Sequence, residues 1–242
     1  MLRIASYNIW HAGDFPYKLQ TGKERKNPEQ IARLLREEKV DICCLNEVCD
    51  FRPLGGKCQA ETIARFAGLG FWHFAHAIDK DGYHYGNAIV SRYPLRLLSE
   101  TPLILPEGRR TPSIFYEDRL LTAVEIDAPE GTLTFAFCHF GLSEADWDLA
   151  LDAILPLAKA ARGSFVLAGD FNLEPSVKQY GELASVLRDT AAGKNFLTFP
   201  SNEPTKKIDY IFVNDRVKVL DCDIPDVIYS DHKPIIANVE TV

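Results

Sequence analysis

The chain alternates between short apolar runs and polar stretches, and the spacing of the runs predicts strands more often than helices. Leu2–Tyr7 reads as a first strand, followed by a long polar loop, Asp14–Asn27, dense in Lys, Gly and Arg. Pro28–Glu38 has helical spacing, with Ile31, Leu34 and Leu35 on one face, Asn27 placed to cap it and Pro28 suited to its first turn. Val40–Leu45 is an almost unbroken apolar run, the pattern of a strand covered on both faces. Gln59–Ala67, Glu144–Ala161 (with Ser143 as its cap) and Ser176–Leu187 read as further helices. Phe71–Ala77, Gly86–Ser91, Leu95–Leu105, Arg119–Ile126, Thr132–Phe137, Phe165–Ala168, Ile208–Val213, Val217–Cys222 and Ile235–Val239 read as strands. Pro129-Glu130-Gly131 is a turn signal between two of them, and Pro106–Asp118 is irregular.

Strands outnumber helices, and the helices come in separated blocks. Strict β-α alternation would give one parallel sheet, whereas this order predicts an α/β fold of two packed mixed sheets flanked by helices, a four-layer α/β/β/α sandwich. No repeat, low-complexity segment or linker divides the chain, so residues 1–242 are expected to form a single domain.

Composition changes this picture little. With 46% apolar residues the chain can build a sizeable core, and the net charge of −7 lacks the basic excess usual in proteins that grip duplex DNA through many phosphates. A carboxylate cluster that holds a cation would account for part of that charge, because the bound ion reverses the local sign. No signal-peptide pattern or long apolar span is visible, so no stable membrane insertion is expected and a cytoplasmic location is the default expectation. Of the six cysteines, Cys43, Cys44 and Cys138 lie in apolar runs and read as buried thiols. Cys49 and Cys58 flank a loop and are placed to bridge only in an oxidising compartment.

The informative recurrence lies where the apolar runs stop. They end, one after another, in a carboxylate, carboxamide or imidazole: Asn8, then Asn46-Glu47, His139, Asp170-Phe171-Asn172, Asp209 and Asp231-His232. Burying such groups singly would cost ~1–3 kcal/mol for each neutral one and more for each charge. Convergence on one site offsets that cost. Asp170 and Asn172 are also a common Asx-turn pair, Glu47 alone would pass for a solvated strand end, and a lone histidine is more often structural than catalytic. Taken together they describe a site: a hard oxygen ligand for Mg²⁺ in Glu47, proton handlers in His139 and His232, and a phosphate-facing guanidinium in Arg119. Arg109 and Arg110 add positive charge in the loop before it, while His11, His73, His76 and His84 are expected to be structural.

Segments from nearly end to end carry a resemblance. They are Ile4-Ala5-Ser6-Tyr7-Asn8-Ile9, Leu45-Asn46-Glu47-Val48, Gly86-Asn87-Ala88-Ile89-Val90-Ser91-Arg92, His139-Phe140-Gly141-Leu142, Gly169-Asp170-Phe171-Asn172, Ile208-Asp209-Tyr210-Ile211 and Ser230-Asp231-His232 with Pro234. In this order they resemble the endonuclease/exonuclease/phosphatase superfamily, which includes pancreatic-type DNases, abasic-site endonucleases, inositol-polyphosphate 5-phosphatases and neutral sphingomyelinases. The resemblance implies that Glu47 binds Mg²⁺ (Mn²⁺ as a substitute) with Asn8 and Asp231 near the same ion. It implies that Asp209 orients His232, that Asp170 and Asn172 position or activate water, and that His139 faces the phosphate. Asn46 departs from the glutamine common at its position, and neither a membrane-docking aromatic hairpin nor basic Gly-rich DNA-gripping loops are evident.

The expectation is therefore a Mg²⁺-dependent hydrolase of phosphate esters, phosphodiesterase- or endonuclease-like, with Asp170 or His232 as the base. Its alternatives are a phosphomonoesterase of an inositol- or lipid-type phosphate and an inactive binding module on the same fold. The expected partner is a phosphate-ester substrate, nucleic acid included, and a monomer is favoured.

Overall fold

The computed structural model describes residues 1–241. In chain order the elements are β1 (Leu2–Asn8), α1 (Phe15–Thr21), α2 (Pro28–Glu37), β2 (Ile42–Asp50), α3 (Gln59–Ala67), β3 (Phe71–Lys80), β4 (Tyr83–Ser91), β5 (Leu95–Leu103), β6 (Arg119–Ala128), β7 (Gly131–His139), α4 (Glu144–Ala160), β8 (Ser164–Asp170), α5 (Lys178–Ala184), β9 (Arg188–Asp189), β10 (Asp209–Val213), β11 (Val217–Asp223) and β12 (Ile235–Thr241). They form two six-stranded sheets, in the orders β11-β12-β1-β2-β4-β3 and β5-β6-β7-β8-β10-β9. Each sheet is mixed: β1 and β2 run parallel in one, β7 and β8 in the other, and the remaining pairs are antiparallel.

Strand alternation explains why the central runs are apolar without a break. Ile4, Ile42 and Cys44 of the first sheet and Phe135, Phe137, Val166 and Ile211 of the second meet in the core between the sheets. Their sequence neighbours point the other way. Ala5, Tyr7, Cys43 and Leu45 pack under Ile31, Leu34 and Leu35 of α2 and Ile63 of α3. Phe165, Leu167 and Phe212 pack under Leu151 and Ile154 of α4 and Leu183 of α5. Both faces of each sheet are thus covered, which is the four-layer α/β/β/α sandwich.

Several local expectations need correction. Asp14–Asn27 is not all loop: it holds α1, capped by the Asp14 carboxylate accepting from Tyr17 N–H at 3.0 Å. That helix buries none of its residues, so it left no apolar period to read. Asn27 precedes α2 without capping it, its amide donating instead to Asp14 and Gln30. Ser143 does cap α4, in a reciprocal box with Asp146. The second strand does not stop at Leu45 but runs on to Asp50 through a bulge between Leu45 and Val48. Helix α5 is shorter than Ser176–Leu187, and the two-residue β9 carried too little pattern to be seen. All six cysteines are free and buried, Cys49 and Cys58 included. No helix among the described residues is long and apolar enough to cross a membrane.

One backbone position holds the end of β8 in place. Gly169 has φ +154°, and a Cβ there would stand 1.9 Å from the Cys138 carbonyl oxygen on β7. No side chain fits that approach, which brings Asp170 level with His139. Gly169→Ala is expected to lower stability by about 3 kcal/mol, from backbone strain plus overpacking, read as a shift in the urea unfolding midpoint with unchanged slope.

Candidate active site

The polar strand ends meet at one end of the sandwich because of register. Parallel β1 and β2 set Asn8 beside Asn46, and parallel β7 and β8 set His139 beside Asp170. Antiparallel β10 sets Asp209 beside Asp170 from the other side, and the segment entering β12 supplies Asp231 and His232. Glu47 belongs to the bulge in β2 and takes a left-handed backbone, φ +60°. A residue with a side chain is strained there by ~1–3 kcal/mol, and such strain concentrates at functional positions. The bulge breaks the alternation that would otherwise turn every second side chain of β2 to the same face.

Two carboxamides organise the cluster. The Asn8 Nδ2 donates to Glu47 Oε1 at 3.1 Å and to Asp170 Oδ2 at 2.9 Å, and lies 3.5 Å from His232 Nε2. Asn46, from the same sheet, donates to Asn87 Oδ1 (2.9 Å) and to the Cys138 carbonyl (3.0 Å), while its Oδ1 accepts the Asp170 N–H at 2.9 Å. Asn46 thereby joins the two sheets at the site. The sequence marked it as a polar strand end and as a departure from a motif, but nothing in its spacing shows that it crosses between sheets.

His232 stands in a hydrogen-bonded chain. Its Nδ1 faces Asp209 Oδ2 at 2.9 Å and its Nε2 lies 3.6 Å from Asp170 Oδ2. Burial would lower its pKa, but the Asp209 and Asp170 carboxylates outweigh that and hold it up, at about 10. Burial likewise disfavours the charge on Asp170, yet His232, His139 and the Asn8 amide hold its carboxyl well below the usual carboxylate range. Burial, reinforced by the Glu47 charge and opposed by His232, pushes Asp231 up to about 6. Thr198 supports the Asp209 backbone N–H at 3.3 Å, Ser230 Oγ donates to the Asn8 carbonyl at 2.7 Å, and the Phe199 ring lies 4.8 Å from the His232 ring. These three residues sit in loops, where no periodicity marks a side chain as inward-facing.

Asp170 and Asn172 satisfy two descriptions at once. The Asn172 N–H donates to Asp170 Oδ1 at 3.0 Å, an Asx turn, with Asn172 in the left-handed region. Phe171 between them is buried and stacks on Phe140 at 4.5 Å. The Asn172 amide then sits 3.1 Å from His139 Nε2. Arg119, expected to face a phosphate, is engaged by protein: Nη1 lies 3.1 Å from His139 Nδ1 and 3.2 Å from Glu117, which also pairs with Lys80. His139 Nδ1 thus faces a guanidinium donor, and its Nε2 lies 3.1 Å from the Asn172 amide nitrogen and 3.4 Å from Asp170 Oδ2.

The residues fit a divalent cation. Glu47 accepts a hydrogen bond from Asn8, and no lysine or arginine among the described residues pairs with it. Glu47, Asp170, Asp209 and Asp231 bring more negative charge together than His232 and His139 offset, and the buried Asp209 Oδ1 has no hydrogen-bond partner. Donor atoms of Asp170, Asp209 and His232 lie within 4.8 Å of one another. His232 and Asp209 are bonded to each other, however, so the carboxylate open to a cation is Glu47, an oxygen donor of the kind Mg²⁺ and Mn²⁺ take. Beside His232 opens a cavity of about 450 Å³, with Trp147, Leu173, Phe199 and Ile208 on its walls and Lys206 at its rim.

The family model described as Endonuclease/Exonuclease/phosphatase family matches residues 5–232. Among solved structures, an endonuclease/exonuclease/phosphatase from Beutenbergia cavernae is 21% identical, with TM-score 0.77 over 99% of this chain and 71% of that one. A mannosyl-6-phosphatase of Bacteroides thetaiotaomicron is 18% identical, with TM-score 0.73 over 99% of both chains. The human Nocturnin catalytic domain is 17% identical, with TM-score 0.66 over 100% of this chain and 93% of that one. At these identities the structures show a shared fold. No curated protein sequence matches the chain.

Two measurements test the geometry itself. Asn46→Ala leaves the Asp170 N–H and the Cys138 carbonyl without their partner and is expected to cost about 3 kcal/mol by denaturant unfolding. In the metal-free protein, His232 should stay protonated until about pH 10, and Asp209→Asn should move its midpoint down toward the ordinary value of 6.5, followed by imidazole NMR. The sign is that of a raised folded-state pKa: this charge stabilises the fold fully below pH 6.5, and the contribution fades as pH rises toward about 10.

Proposed function

The chain belongs to the endonuclease/exonuclease/phosphatase family, and from that premise we propose that it hydrolyses phosphate esters with Mg²⁺ held at Glu47 and with Asp170 as the base. The observation carrying the reading is the Asn8-linked set of Glu47, Asp170 and His232, with His232 held by Asp209.

Water attacks phosphorus in line with the ester oxygen that leaves. Asp170 is the group able to accept the water's proton: its carboxyl is ionised at neutral pH, whereas His232 already carries its own proton. Asn172 and Asn8 flank Asp170 and orient the water, and charged His232 faces the developing negative charge on the phosphate. His139, held by Arg119 at Nδ1, brings its Nε2 to 3.4 Å from Asp170 Oδ2, the oxygen that also accepts from Asn8. When bound, a divalent cation at Glu47, with Asp231 beside it, would polarise a phosphate oxygen and offset charge on the leaving oxygen.

A phosphodiester is the preferred substrate. It brings one negative charge, and the cations near the site are largely engaged already: Arg119 by Glu117 and His232 by Asp209. The monoester reading is supported by a different observation, the bounded cavity beside His232, whose 450 Å³ suits one small organic phosphate better than a polymer. The ratio of turnover on bis-p-nitrophenyl phosphate to that on p-nitrophenyl phosphate separates the two.

Glu47→Ala, Asp170→Asn and His232→Ala are each expected to lower kcat/KM on the diester by about 10²–10⁴-fold with Mg²⁺ present, with unchanged far-UV circular dichroism. Chelation should abolish turnover, and Mg²⁺ or Mn²⁺ should restore it. Near-wild-type rates in any of the three folded variants would remove the assignment.

A further inference from the structure

Away from the Glu47 cluster, the β3–β4 hairpin gathers two histidines and a carboxylate. Asp79 and His84 are direct cross-strand partners, and His76 lies opposite Gly86. In an unbroken strand, residues three apart face opposite sides. Here a bulge between His76 and Ile78 inserts one residue and turns His76 to the face of Asp79. The backbones close in at that point: a Cβ on Gly86 would stand 2.0 Å from the Ala75 carbonyl oxygen, so only glycine permits the bulge to seat.

The result is a compact donor set. His76 Nε2 lies 3.0 Å from Asp79 Oδ1, and His84 Nε2 lies 3.6 Å from the same oxygen. The two rings are near-parallel, with centroids 4.1 Å apart. In a tetrahedral zinc site with bonds of ~2.0–2.1 Å, neighbouring donors stand roughly 3.3–3.4 Å apart, so small rotations bring these three to the edges of one tetrahedron. The far side of His84 is also prepared. Its Nδ1 is 4.0 Å from Asp50 Oδ2, a buried carboxylate fixed by Arg52, so negative charge backs the ring nitrogen that points away from the donor set. Metal-ligating histidines commonly have such backing.

We propose that His76, Asp79 and His84 form a transition-metal site for Zn²⁺, separate from the oxygen-rich site at Glu47. Two imidazoles and one carboxylate favour a borderline ion over Mg²⁺, and three protein ligands leave a fourth position to water. The side chains are 41%, 74% and 38% exposed, so the ion has an open path. Bound there, it would pin the hairpin whose Lys80 reaches Glu117, the partner of Arg119.

The test is Zn²⁺ titration calorimetry on the full chain above the ordinary histidine pKa, with Co²⁺ as an absorbing substitute. Wild type should bind one equivalent more than His76→Ala or His84→Ala, and Asp79→Asn should weaken that equivalent by at least about 10-fold. The Co²⁺ visible band should disappear with either histidine variant. Glu47→Gln should keep the hairpin equivalent, so failure here and failure of the phosphoesterase reading are distinguishable. His76→Gln and His84→Gln, with circular dichroism, guard against loss of fold. Identical Zn²⁺ stoichiometry, affinity and Co²⁺ spectra in wild type and the folded histidine variants would overturn the proposal.

Discussion

Two buried carboxamides hold this molecule's working end together. Asn46 reaches from the first sheet to the Cys138 carbonyl and the Asp170 N–H of the second, and Asn8 joins Glu47 to Asp170 across the same gap. A carboxamide has both donors and an acceptor, so it can bridge strand ends that present opposite polarity without adding charge. Apolar packing between the sheets is non-directional and would tolerate small slides. The carboxamides are directional, and they set where Glu47 stands relative to Asp170 and His232.

Around that frame the site is an exercise in opposed charges. Burial disfavours every ionised group in it. His232 keeps its proton because Asp209 and Asp170 face it, and Asp170 stays ionised because His232 and His139 face it. Glu47 accepts from the Asn8 amide but has no lysine or arginine partner among the described residues, which is the imbalance a divalent ion would correct. Arg119 shows how far the network extends: it orients His139 while tied through Glu117 to Lys80 on the β3–β4 hairpin.

The sequence alone determined the layered architecture and the set of polar strand ends. Residues buried on both faces of central strands leave unbroken apolar runs, and the side chains that end such runs are visible wherever the run stops, as at Asn8, His139, Asp170 and Asp209. Tertiary structure decided the rest. Helix α1 buries no residue and so had no period to read, and the bulge that aims Glu47 leaves the apolar pattern of its strand unchanged. Asn46 was legible as polar but not as the bridge between sheets, Arg119 as cationic but not as the partner of His139, and His76 and His84 as histidines but not as neighbours. The physical reason is common to all of these: burial periodicity is a local property of the chain, whereas hydrogen-bond and metal-donor geometry depends on which strands are paired and in what register, and residues as far apart as Asn8 and His232 acquire that relation only when the two sheets close on each other.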